Sequence, residues 1–159
     1  MSIIFLWSMS LGLGIAVALD RPAREISFNK SVDPVTKPYQ LGRELYFKNC
    51  STCHFAIPPE VLPTETWKRI LENPEKHYGT KLPKLYAPER LLIWTYLRQF
   101  SRSLNSGELD PTVIARSRYF KALHPQVEFQ KPISVEKCVS CHPGAAQFNY
   151  RTIEKKILK

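Results

Sequence analysis

Cys50 and Cys53 are followed at once by His54, and Cys138 and Cys141 by His142. Two thiols separated by two residues, with an imidazole directly after the second, meet the requirements for covalent attachment of a haem. Each thiol adds to one vinyl group of the same porphyrin, and the neighbouring His turns its ring onto the iron. The chain has four Cys in all, so the two motifs leave none over. A zinc site built from the four Cys and a pair of disulfides are the alternatives. Zinc does not require a His after each second Cys, and Cys-x-x-Cys by itself also occurs in redox-active disulfides. Two covalently bound haem c groups are therefore expected.

The sixth iron ligand follows from a count. A c-type haem carries the His of its motif on one face and commonly a Met or a second His on the other. The two Met of the chain, Met1 and Met9, lie in an apolar leader, whereas two His, His77 and His124, remain outside the motifs. One spare His per haem points to His54 with His77 on the first iron and His142 with His124 on the second, each pair within one local segment. The count is equally compatible with crossed pairs. If either His is instead a solvated or capping residue, its haem has an open face or an unusual ligand such as Lys or Tyr. Because Met in place of His raises the potential, haems with two His should sit at low potential.

The elements that must position these groups are short. With 159 residues, six Gly and thirteen Pro, the chain suits short helices joined by Pro-interrupted loops, and a core this small gains from a cofactor. Leu41, Leu45 and Tyr46 at helical spacing lead into the first motif. Thr64 offers an N-cap for a helix through Trp67, Ile70 and Leu71 that stops at Asn73-Pro74, with His77 in the loop before Gly79. Pro88 and Glu89 begin the most apolar helix, ending before Asn105 and Gly107. A modest helical pattern runs from Val113 through Phe120 and Leu123 to His124, and a brief alternation around Val127 and Phe129 is too short to define a strand. The expected fold class is mainly α: a small helical, haem-cored cytochrome c, with a first haem unit over 39–108 and a smaller, irregular second haem unit over 109–159.

Residues 1–19 carry no ionisable side chain and end in Ala16-Val17-Ala18, the small-x-small pattern of a cleavable export signal, with an uncleaved membrane anchor as the alternative. A polar, Pro-containing linker follows over 20–38. Export to the periplasm, or an equivalent extracytoplasmic lumen, agrees with haem attachment outside the cytoplasm. The net charge of +9 lies wholly after the leader, much of it in Lys68, Arg69, Lys76, Lys81 and Lys84 and in the tail from Arg151 to Lys159. That excess excludes no solvated-surface role, but it suits an acidic redox partner or an anionic membrane surface. Nucleic acid is not expected as a partner of an exported haem protein.

Gly42, Leu45 and Tyr46 ahead of Cys50, with Trp94, Tyr96 and Leu97 later, resemble the paired terminal helices of class I cytochromes c over the first unit. The whole chain after the leader is more similar to the bacterial dihaem cytochrome c family. The first motif is followed by Pro58-Pro59, Leu62-Pro63, Trp67 and His77-Tyr78-Gly79. Arg118-Tyr119-Phe120 with His124, and the second motif followed by Ala145, Gln147 and Tyr150, extend the likeness. It implies bis-His ligation and single-electron transfer, in some members toward a monohaem cytochrome c or beside a membrane cytochrome b. Phe148 stands where the resemblance calls for Gly, and the segment after His77 diverges, so a partner does not transfer. A dihaem redox enzyme, or a gas sensor or subunit of a larger redox complex with one open iron site, are the competing functions. No spare His remains for the acid-base work of an enzyme.

Overall fold

The computed structural model describes residues 34–129 and 132–154. The leader, most of the linker and the last five residues lie outside the described residues. Helix α1 spans Lys37–Cys50, α2 Thr64–Glu72, α3 Ala87–Phe100, α4 Arg118–Leu123 and α5 Cys138–Cys141. Single 3-10 turns at Pro59–Val61, Pro74–Lys76, Ile114–Arg116, Val135–Lys137 and Ala145–Gln147 join them. Among the described residues there is no strand, and the alternation around Val127 and Phe129 forms none. None of the described helices is long and apolar enough to cross a membrane.

Helices α1 to α4 each begin where a residue fixes the backbone at its entry. Pro38 occupies the first turn of α1 and Pro88 that of α3, where the missing N–H has no partner to lose. Pro38 therefore starts a helix rather than ending the linker. Thr64 does not cap α2; Pro63 stands at that position, and the Thr64 hydroxyl instead meets Ser101 Oγ at 2.7 Å and the Arg102 carbonyl at 3.1 Å. It ties the start of α2 to the end of α3. α3 stops at Phe100, earlier than Asn105, because the chain turns there into a loop closed by two Arg102–Glu108 hydrogen bonds of 2.8 and 2.6 Å. The helical pattern expected over Val113 to Leu123 breaks at Ser117, whose hydroxyl caps α4 by accepting from the Phe120 N–H at 3.3 Å.

The core sits where α1 crosses α3 and α2 leans on both. Tyr46, Trp67, Leu71, Ile93, Tyr96 and Leu97 are buried there with Ile57 and Leu62. The polar ends of the aromatic rings are satisfied: Tyr46 donates to the Ile57 carbonyl at 2.7 Å and Trp67 Nε1 to the Pro59 carbonyl at 2.8 Å. Those two bonds pin the loop after the first Cys-x-x-Cys-His motif onto the helices. The crossing itself depends on Gly42. A Cβ at that position would lie 2.4 Å from the Leu92 carbonyl oxygen and 2.9 Å from Tyr96 Cβ. Gly42→Ala should therefore force α1 and α3 apart and cost about 1–3 kcal/mol. Denaturant unfolding of the haem-loaded variant checks this, and an unchanged midpoint would contradict it.

The later segment is fastened to this core and not merely appended to it. Thr66 and Arg69 of α2 both bind the Asp110 carboxylate, and the fully buried Ser117 hydroxyl donates to the Val61 carbonyl. Phe148 enters the core of the first segment, with ring contacts to Tyr46 and Phe47, and is only 3% exposed. The Tyr150 hydroxyl donates to the Ala56 carbonyl at 2.6 Å.

Candidate haem-binding sites

Cys50 is the last residue of α1, and the chain turns out of the helix at Ser51, whose N–H and hydroxyl both return to the Phe47 carbonyl, at 3.0 and 2.5 Å. That exit swings Cys53 outward and brings the His54 ring inward. His54 Nδ1 lies 2.9 Å from the Phe55 carbonyl oxygen. A carbonyl only accepts, so Nδ1 carries the proton and the lone pair is left on Nε2, the nitrogen free to bind a metal.

His77 reaches His54 through a tight loop. α2 ends at Asn73, where Pro74 cannot continue it, and the Pro74–Lys76 turn leads into His77. Tyr78 and Gly79 then take positive φ values of 51° and 83°, and Thr80 N–H closes the turn onto the His77 carbonyl at 2.8 Å. Gly79 supplies a left-handed conformation that side chains resist. The result places the His77 and His54 rings with centroids 6.0 Å apart and planes 23° apart. Burial and the neighbouring His54 hold His77 below the ordinary imidazole range, which favours the neutral ring that a metal binds. Its Nδ1 is buried with no partner among the described residues.

The second pair forms independently. His124 is the C-cap of α4, and its Nδ1 donates to the Phe120 carbonyl one turn earlier, at 2.8 Å, again leaving Nε2 available. Cys138 to Cys141 make a single helical turn, closed by His142 N–H on the Cys138 carbonyl at 2.7 Å. Both thiols therefore sit on one short element with the imidazole at its end. The His124 and His142 centroids are also 6.0 Å apart, but the planes stand at 85°. Burial, with His124 nearby, lowers His142, against an opposing effect of the Tyr150 and Thr152 backbone.

The structure thus joins His54 to His77 and His142 to His124, not the crossed combination. An imidazole nitrogen sits about 2 Å from a bound transition metal, so two rings that face each other through one metal have centroids about 6 Å apart. Both pairs meet that spacing, and each has its two thiols in the adjacent turn. The residues present fit a haem at each position. The alternatives fit less well. No three His, Cys, Asp or Glu side chains converge as a metal site among the described residues, and the four Cys form no disulfide. Burial pushes the Cys50 thiol up to about 12 and also raises Cys138, opposite to the depression that activates a redox-active thiol.

Aromatic residues surround the second pair; Phe120 and Tyr150 carry the family likeness in the sequence, but no motif marks any of them as part of the site. Phe120 lies 4.6 Å and Phe129 5.3 Å from the His124 ring, while Tyr150 lies 5.6 Å from that of His142. Phe129 was legible only as part of a faint alternation, because its role depends on a loop folding back onto α4.

Comparison with known proteins agrees with this geometry. No curated protein matches the chain. Among solved structures, a diheme cytochrome c from Rhodobacter sphaeroides is 26% identical, with a TM-score of 0.53 over 65% of this chain and 93% of that one. The structure of DHC purified from the same organism is 28% identical, with a TM-score of 0.50 over 65% and 93% of the two chains. A new diheme cytochrome type c from Shewanella baltica is 26% identical, with a TM-score of 0.50 over 67% of this chain and 85% of its own. The family model for dihaem cytochrome c matches residues 46–150, from the core tyrosine of α1 to the tyrosine beside His142. The chain belongs to the dihaem cytochrome c family and carries two covalently attached haem c groups.

Proposed function

We propose that this cytochrome relays single electrons through two six-coordinate, low-potential haems in an extracytoplasmic compartment. Cys50 and Cys53 hold the first haem, with His54 and His77 as its axial ligands; Cys138 and Cys141 hold the second, with His142 and His124. The observation that carries the reading is the 6.0 Å spacing within each His pair, which suits one iron between two imidazoles. Haem supplies the one-electron couple when bound. The chain's own residues hold both axial positions, keep Nε2 of His54 and of His124 unprotonated through Nδ1–carbonyl hydrogen bonds, and leave no axial position for a substrate. An electron carrier needs that saturation, whereas a haem enzyme or a gas sensor needs an open iron face.

Lys76, Lys81 and Lys84 flank the His77 loop and are exposed, while Arg69 pairs with Asp110 and Lys68 approaches Glu72 at 3.9 Å. The three exposed lysines are the ones left to steer an acidic redox partner, such as a monohaem cytochrome c, toward the first haem. Steering of this kind raises the encounter rate and is screened by salt. The bimolecular rate of electron exchange with an acidic partner should therefore fall steeply along a salt series, and the Lys76→Glu, Lys81→Glu, Lys84→Glu variant should flatten the dependence. Stopped-flow reduction measures both. A rate indifferent to salt removes the steering, and turnover of peroxide or nitrite, or carbon monoxide binding by the reduced protein, removes the carrier reading.

A further inference from the structure

The two His pairs share a spacing but not an angle. His54 and His77 have planes 23° apart, close to parallel, while His124 and His142 stand at 85°, close to perpendicular. In each pair one ring is held by a hydrogen bond and the other is bordered by an aromatic ring. His54 is held by its Nδ1 bond to the Phe55 carbonyl, and the Tyr78 ring lies 4.7 Å from His77 at 67°. At the second pair His124 is held by the Phe120 carbonyl, with Phe120 tilted at 40° beside it and Phe129 edge-on at 74°. The Tyr150 ring rests beside His142, and its hydroxyl is anchored on the Ala56 carbonyl of the opposite segment.

On the bis-His reading above, we propose that the chain makes its two haems electronically inequivalent by fixing these ring planes, with Phe129 and Tyr150 as positioning residues for the crossed pair, so that the second haem accepts an electron first. The reason lies in the iron d orbitals. Each imidazole donates π density into the d orbital perpendicular to its own plane. Parallel rings raise one orbital of the pair together, split the two, and stabilise the ferric ion, whose hole occupies the raised level. Crossed rings raise both orbitals alike, leave them nearly degenerate, and withhold that stabilisation. Axial ligand identity is the same at both irons, so the ring angle is a difference the polypeptide alone imposes. Each step adds one electron from the reductant and converts one ferric iron to ferrous, with no bond made or broken.

Electron paramagnetic resonance of the oxidised, haem-loaded protein tests this directly. The expected spectrum holds two low-spin species in equal amount: a rhombic one from the parallel pair and a strongly anisotropic one, with its maximum at much lower field, from the crossed pair. In a dithionite titration the anisotropic signal should disappear first. Phe129→Leu and Tyr150→Leu should each move that signal toward the rhombic position and leave the other in place, a shift that loss of stability alone does not produce. Two superposed rhombic signals, two anisotropic ones, or earlier loss of the rhombic signal would overturn the proposal while leaving bis-His ligation intact. A high-spin signal in the wild-type protein would instead overturn the ligation itself. The wild-type spectrum and titration decide the matter even if a variant fails to fold.

Discussion

Replacing His77 by Ala should turn one haem high-spin and leave the other low-spin, and His124→Ala should do the same to the second haem only. The expectation rests on separate geometry: His77 faces His54, His124 faces His142, and each pair is set by its own loop or helix end. Removing an imidazole leaves a fifth ligand and an open face, because no other His remains in the chain to replace it. Half of the haem should then bind carbon monoxide when reduced, where the parent binds none. The potential of the altered haem should shift while its neighbour's moves little. Optical spectra with and without carbon monoxide check the effect. Variants that both keep fully low-spin spectra would show that these two His are not ligands.

Phe148→Ala should destabilise the haem-loaded protein by about 3–5 kcal/mol, the cost of removing a large ring from a packed core. The ring is buried at 3% exposure between Tyr46 and Phe47 of α1, yet it belongs to the segment that follows the second motif. Its loss should loosen both haem segments in one transition, and should not release the later one alone. The backbone adds a second part to the prediction. Phe148 has φ 59°, the left-handed region, which costs a residue with a Cβ about 1 kcal/mol or more. Phe148→Gly removes the same ring and relieves that conformation, so it should be less damaging than Ala. Denaturant unfolding followed at both haems, together with limited proteolysis, measures the order and the cooperativity. Two separate transitions in the parent protein, or Gly more damaging than Ala, would contradict this account.

That left-handed turn also accounts for a departure noted in the sequence. The family resemblance calls for Gly at position 148, and the structure shows a backbone conformation that Gly adopts without strain. This chain keeps the conformation and places a phenyl ring on it, which fills the space beside Tyr46. Tyr150, two residues on, then bonds across to Ala56, so the segment after His142 is fixed at two points, by Phe148 to α1 and by Tyr150 to the loop that follows His54. The inter-segment contact therefore passes close to both histidine pairs.

The covalent chemistry was legible in the sequence because it is local. Two thiols and an imidazole within five consecutive positions define a haem attachment whatever the surrounding fold. Helix existence was legible for a related reason: Pro88 acts on the first turn it enters, and Leu41, Leu45 and Tyr46 stand at helical spacing; Pro38, expected in the linker, and Leu41, which is 52% exposed, show that the helix start and its buried face were not. A residue count pointed to His77 and His124 as the candidate axial ligands, but it could not say which lies beside which motif His. Only the tertiary structure shows which rings lie together, because the turn at Tyr78 and Gly79 and the capping bond from His124 to Phe120 set where each ring arrives. The same holds for Thr64, whose type suited an N-cap but whose hydroxyl is held by the end of α3. Phe148 is the clearest case. Composition around the second motif is too poor in large apolar residues to suggest a core, and the ring finds one only by crossing to a helix about a hundred positions earlier, a placement that packing controls and local pattern does not record.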